Sequence, residues 1–248
     1  MSDLSAANRR TTATEFRVSA IINKSFAILS HQFGKFALLA LMPMAPLLLL
    51  ILTMPGNAQV HGAGFALAGA LTAVLTFVLQ TVAQATSLYG AFQDMRGQPF
   101  TIGQSLQIGL ARAVPVVGVA LLAGLAIGLG ILLFIVPGVI IGCMLFVAIP
   151  ACVIEKTGVT ESLSRSVALT QGYRWQIFGL FLLVVLMALV GEMVLTAIGG
   201  NGIVGQLLSF AWQVVSTAFG AVLCAVVYHD LRAAKEGVHL GAQADVFD

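Results

Sequence analysis

Six apolar stretches, at residues 36–54, 64–88, 113–136, 137–154, 175–198 and 203–228, leave this chain few ways to fold. Each has close to the about 20 mostly apolar residues that a helix needs to cross the hydrocarbon core of a bilayer. Composition points the same way. Apolar residues make up 59% of the 248 and charged residues only 9%, where a soluble domain carries roughly 25% charge. So little charge cannot cover a surface in water, which excludes a soluble protein, and the mean hydropathy of +1.00 excludes disorder. The predicted class is an all-α membrane protein with six transmembrane helices.

The third and fourth stretches form one tract interrupted by Val136-Pro137-Gly138. A single kinked helix over that tract would need about 60 Å of membrane at 1.5 Å per residue. Proline suits the first turn of a new helix, so the interruption is read as a tight turn between two spans.

The charges set the expected orientation. Arg9, Arg10, Arg17, Lys24 and Lys35 precede the first span, and Arg96 and Arg112 lie between the second and third. Lys156, Arg165 and Arg174 lie between the fourth and fifth, and Arg232 and Lys235 follow the sixth. All 12 basic residues thus fall on one side, which by the positive-inside rule puts both termini in the cytoplasm. Tyr89, Tyr173, Tyr228 and Trp175 stand at the same span ends, where interfacial anchors belong. The expected division is a basic segment 1–35, a six-span domain 36–232 and a short tail 233–248. A leader of some 35 residues before the first span is too long for a signal peptide.

A short helix is expected before each outward span. The first covers about 12–33, with Thr12 and Glu15 at capping-box spacing and an apolar stripe of Val18, Ile22, Phe26, Leu29 and Phe33. Arg17, Lys24 and His31 lie on another face, as in a basic amphipathic helix lying on a leaflet of anionic headgroups. The second covers about 101–112, with Thr101 and Gln104 as capping box and Ile102, Leu106 and Leu110 as stripe. The third covers about 160–171, with Leu163, Val167 and Thr170 on one face and Glu161 and Arg165 as an i,i+4 pair. Gln104-Ser105-Leu106 corresponds to Glu161-Ser162-Leu163, and the returning spans exit alike at Asp94-Met95-Arg96, Glu155-Lys156 and Asp230-Leu231-Arg232. The chain therefore reads as three copies of amphipathic interfacial helix, outward span and returning span, a pattern that any charged-ended hairpin protein would also approach.

Polar residues recur inside two spans: Thr72, Thr76, Gln80 and Gln84 in the second, and Gln206, Ser209, Gln213, Ser216 and Gly220 in the sixth. They either line a polar path or join helices by hydrogen bonds, because an amide facing lipid has no partner. Ala120, Gly124 and Gly128 in the third span, with Gly138 and Gly142 in the fourth, are expected to pack those two together. Pro43 and Pro46 should distort the first span. Glu192 lies 18 residues after Arg174, about 27 Å along a helix, which puts it near the far interface rather than at the midplane.

Catalytic and metal patterns are not found. His31, His61, His229 and His239 are scattered without acidic partners at ligand spacing, and Cys143, Cys152 and Cys224 sit in apolar runs. Neither an enzyme nor a cofactor is expected, and a net charge of +2 is too small to suggest nucleic acid.

Two blocks carry a family likeness. The first holds Ile135-Val136-Pro137-Gly138, Pro150, Glu155 through Gly158, Glu161-Ser162-Leu163-Ser164-Arg165-Ser166, Leu169-Thr170-Gln171-Gly172 and Arg174-Trp175. The second is Tyr228-His229-Asp230-Leu231-Arg232. On these residues the chain resembles the membrane domain associated with bacterial glycerophosphoryl diester phosphodiesterases and similar multispan inner-membrane proteins. The resemblance is firmest over 130–176 and at the last exit. It implies a six-span helical module in the bacterial inner membrane, in some relatives fused to lipid-headgroup chemistry. The hydrolytic residues of that family belong to a separate soluble domain, so no catalytic residue carries over.

Two functions follow as expectations. One is a non-catalytic scaffold or accessory factor for envelope lipids or membrane complexes, with Arg17, Lys24, Arg112 and Arg165 touching headgroups or a protein partner at the cytoplasmic face. The other is a transporter or facilitator built on three parallel hairpin repeats, with Gln80, Gln84, Gln213 and Glu192 lining the path.

Overall fold

A computed structural model describes residues 18–53, 63–200 and 202–244. The described residues form helices and no strand: α1 (Val18–His31), α2 (Phe33–Thr53), α3 (Ala63–Met95), α4 (Ile102–Ala111), α5 (Ala113–Leu133), α6 (Ile135–Leu145), α7 (Ala148–Glu155), α8 (Val159–Thr170), α9 (Arg174–Gly199) and α10 (Ile203–Ala244). Six stretches are long and apolar enough to cross a membrane: Phe33–Leu52, Leu67–Met95, Ala113–Leu133, Ile135–Glu155, Arg174–Gly199 and Ile203–Glu236. The chain is a polytopic helical membrane protein. Thr12, Glu15, Arg17 and His61 lie outside the described residues.

Several expected boundaries move. The third span stops at Leu133, not 136; Phe134 is extended (φ −160°, ψ 145°), and Pro137 falls in the first turn of α6, where its missing N–H is not needed. The fourth span is interrupted at Phe146 and Val147. Pro150 accounts for the break, because it cannot donate to the carbonyl of Phe146 and its ring crowds that position. The first span stays helical through Pro43 and Pro46. Helix α10 runs on past 232 to Ala244.

Consecutive helices pack together as α2 on α3, α5 on α6 and α9 on α10. At two of these contacts the backbones nearly touch. A Cβ at Gly130 would lie 2.7 Å from the Cα of Gly138, and one at Gly199 would lie 2.5 Å from the Cα of Gly205. The small-residue seam between α5 and α6 is therefore Gly130 with Gly138. A Cβ at Gly124 or Gly128 would meet nothing within 4 Å, and one at Gly142 only Ile127 at 3.9 Å, which corrects the expected seam. Helix α10 also packs on α2 and α3, and residues 221–228 are all buried. A helix apolar on every side belongs in the middle of a bundle.

The short helices each rest on a helix of another pair: α1 on α10, α4 on α3 and α8 on α7. Thr101 caps α4 as expected, its hydroxyl accepting from the Gln104 N–H at 3.2 Å. The buried face mixes small residues with apolar ones: Ile21, Ser25 and Leu29 in α1, Ser105 and Gly109 in α4, Ser162, Ser166, Leu169 and Thr170 in α8, while Val18, Ile22, Ile102, Leu106 and Leu163 of the expected stripes are half-buried against the core. Phe26 and Phe33 remain 51% and 47% exposed. Small residues let helices approach where lipid removes the hydrophobic drive for large ones. A Cβ at Gly109 would lie 2.2 Å from Thr86 Cγ2, and the Ser166 hydroxyl donates to the Met144 carbonyl at 2.8 Å.

Candidate functional site: a glutamine-lined cavity

The i,i+4 spacing on α3 puts Gln80 and Gln84 on one face, and the alternation of three and four on α10 does the same for Gln206, Ser209, Gln213, Ser216 and Gly220. On α9, Val184, Ala188 and Glu192 are likewise four apart. The three faces meet around one cavity of about 700 Å³, with Ile51 of α2, Phe210, Trp212 and Thr217 completing its wall. All four residues named from sequence as a polar lining (Gln80, Gln84, Glu192 and Gln213) are on it. Thr72 and Thr76 are not; their hydroxyls donate back to the carbonyls of Ala68 and Thr72 at 2.8 Å each.

One wall is fixed firmly. Trp212 packs flat on Gly191, where an added Cβ would fall 2.0 Å from Cζ2, and its indole N–H donates to the Ala188 carbonyl at 3.3 Å. Sequence reading passed over Trp212. Its signal was a glycine on α9 at a depth matching a tryptophan on α10, and that pairing is visible only once the helices are placed. A second cavity of about 350 Å³ adjoins the first and shares Gln84, Val184 and Gly220 with it. Ala120, Gly124 and Gly142, expected to be packing residues, line this second space.

The decisive feature is what the amides do not touch. Among the described residues, the side chains of Gln80, Gln84, Gln206 and Gln213 make no hydrogen bond to protein, and the buried Ser216 hydroxyl also lacks a partner. An unpartnered amide in a dry site costs about 1–3 kcal/mol. Four of them together would rival the about 5–15 kcal/mol that holds a whole domain folded. The volume beside them has room for on the order of twenty waters at roughly 30 Å³ per molecule. The stripes face open volume rather than each other.

The basic end is organised differently. Arg165 Nε donates to both Glu155 oxygens at 2.9 and 3.1 Å, and its Nη2 donates to Glu236. Arg232 Nε reaches the other Glu236 oxygen at 2.6 Å, and the Tyr228 hydroxyl donates to Glu155 at 2.6 Å. Burial opposes the charge on Arg165, but its bonds to Glu155 and Glu236 outweigh that, so its pKa lies above the ordinary arginine value. Its expected partner Glu161 is not among its ion pairs in the described residues. Tyr228, expected at an interface, is fully buried. Lys24 pairs with Asp230 at 3.1 Å, and Arg112 Nη1 donates to the Lys156 carbonyl at 3.2 Å. The structure thus turns Lys24 and Arg165 toward carboxylates of the chain itself.

The arrangement can bind by hydrogen bonding. Among the described residues, no three His, Cys, Asp or Glu side chains converge where they could hold a metal ion. No family model, curated protein or solved structure matches the chain.

Proposed function

We propose that this protein is a non-catalytic membrane facilitator for a small polar solute, held in the cavity between α3, α9 and α10. The unpartnered glutamines around that cavity carry the reading. Amides offer both donors and acceptors, Ser209, Ser216 and Thr217 add hydroxyls, and among the described residues Glu192 is the only ionisable side chain on the wall. The chemistry fits an uncharged solute rich in hydroxyl or amide groups, or one with a single positive charge.

The supporting topology is three hairpins with both termini in the cytoplasm of a bacterial inner membrane, as the one-sided placement of 12 basic residues argues. A threefold repeat gains support from the matched Ser25, Ser105 and Ser162, each fully buried where its short helix rests on a neighbouring pair. The likeness to glycerophosphodiesterase membrane domains would place the protein beside envelope lipid metabolism. The scaffold reading asked cations to reach a partner. Lys24 and Arg165 are engaged within the chain, which favours the cavity as the functional feature.

Permeability of proteoliposomes tests this. Vesicles carrying the wild type should equilibrate a small polyol or amide faster than protein-free vesicles. The double variant Gln84→Leu/Gln213→Leu should lose that excess while melting like the wild type. A panel of neutral and monocationic solutes with no excess permeation would overturn the proposal.

A further inference from the structure

Three cations at the basic end have carboxylate partners: Lys24 with Asp230, Arg165 with Glu155 and Glu236, Arg232 with Glu236. Three others have none. Arg96 at the end of α3, Arg112 after α4 and Lys156 after α7 line a single pocket of about 350 Å³, together with Tyr89, Gln93 and Gln98. Among the described residues no carboxylate lines it. The acids nearest in sequence are turned elsewhere: Asp94 accepts from Gln32, and Glu155 is held by Arg165 and Tyr228. Like charges gathered in a partly enclosed space repel each other unless an anion joins them.

Two local details show the cations being held in place. The Arg96 guanidinium stacks over the Phe92 ring at 4.5 Å from its centroid, which restrains it without using its N–H donors. Lys156 has φ +58°, the one left-handed non-glycine among the described residues. Glycine normally fills that position after a helix because other residues are strained there. A lysine is kept where the backbone favours glycine. Helix C-termini attract cations through their dipoles, and Arg112 uses one of its five N–H donors on the Lys156 carbonyl. That contact leaves Arg96 and the Lys156 ammonium without a counter-charge.

We propose that Arg96, Arg112 and Lys156 form a binding site for a phosphate group, carried by a lipid headgroup or by a free phosphate. Two guanidinium groups suit bidentate recognition of phosphate oxygens, an ammonium adds a point charge, and the Tyr89 hydroxyl lies on the same wall. This site shares no residue with the glutamine cavity and stands or falls apart from it.

Melting of the full-length protein in neutral detergent reads binding through ligand-dependent stabilisation. The probes are inorganic phosphate and short-chain phosphatidic acid. A saturable rise with inorganic phosphate identifies a free-phosphate site, and a rise with phosphatidic acid alone identifies a headgroup site. In either case Arg96→Gln should weaken binding roughly tenfold, the loss expected for one charge-assisted bond. The sharper variant is Lys156→Gly, which removes charge and backbone strain together. It should melt no lower than the wild type without ligand and still bind roughly tenfold more weakly. The control Lys24→Gln should bind like the wild type. No stabilisation of the wild type by either probe, or equal affinity in Lys156→Gly, would overturn the proposal.

Discussion

At Gly130 and Gly138 two helices meet backbone to backbone, whereas the glutamines of α3 and α10 face open volume. Both lie within helices apolar enough to span a bilayer. They differ in what the side chains leave behind. Glycine removes the side chain so that the neighbouring helix fills the space, and the result is dry. Glutamine keeps a side chain that no protein group satisfies, and the result has to be wet. Spacing on a helix therefore says which residues act together, and the volume opposite them says whether they pack or bind.

Substitutions can break this contrast from either side. Gly138→Leu should have the largest effect on stability, because its Cβ would lie 2.6 Å from the Ile131 backbone nitrogen. Unfolding in detergent should show a loss of about 3 kcal/mol or more, as expected when overpacking meets backbone. Glu155→Gln comes next. It weakens the clamp that joins α7, α8 and α10, and a loss of about 1.5–3 kcal/mol is expected for bonds to a charged group. Tyr228→Phe, which removes one bond of that clamp, should cost about 1 kcal/mol. Gln84→Leu with Gln213→Leu should change stability by less than about 1 kcal/mol, since no interhelical bond is lost. A drop well beyond that would mean the amides join helices after all. Gly124→Ala should be the mildest, within about 0.5 kcal/mol, because its new methyl group meets nothing.

Much of the fold was legible because the signals were local. Helix-length apolar runs gave six spans, and only their ends moved, where Phe134 adopted an extended backbone and Pro150 cut the fourth span in two. Gln80 with Gln84, and Gln213 with its neighbours on α10, were legible as single faces because period 3.6 gathers them, and Glu192 stood out as an ionisable residue within a span; that all four border one cavity was not legible. What stayed hidden was relational. Ser25, Ser105 and Ser162 are fully buried beneath the short helices, beside stripes in which Leu106 and Leu163 are half-buried and Phe26 stays exposed. Rules from water favour burying the large residues; in lipid those can stay outside while small ones make the contact. The Gly124–Gly128 spacing likewise indicated a seam but not its direction. Arg96 and Lys156 served only to orient the spans, because nothing in their own sequence neighbourhoods brings them to Arg112.

The central claim is that the glutamine cavity holds water. In a variant whose Cys143, Cys152 and Cys224 are replaced by alanine, a cysteine introduced as Gln213→Cys can be challenged in membrane vesicles with a charged, membrane-impermeant thiol reagent. A companion Ala218→Cys, buried on the same helix, serves as reference. Reagent supplied on both sides should modify position 213 and leave position 218 intact. If position 213 proves as inert as 218, the stripes are closed to water and the cavity is not a binding site.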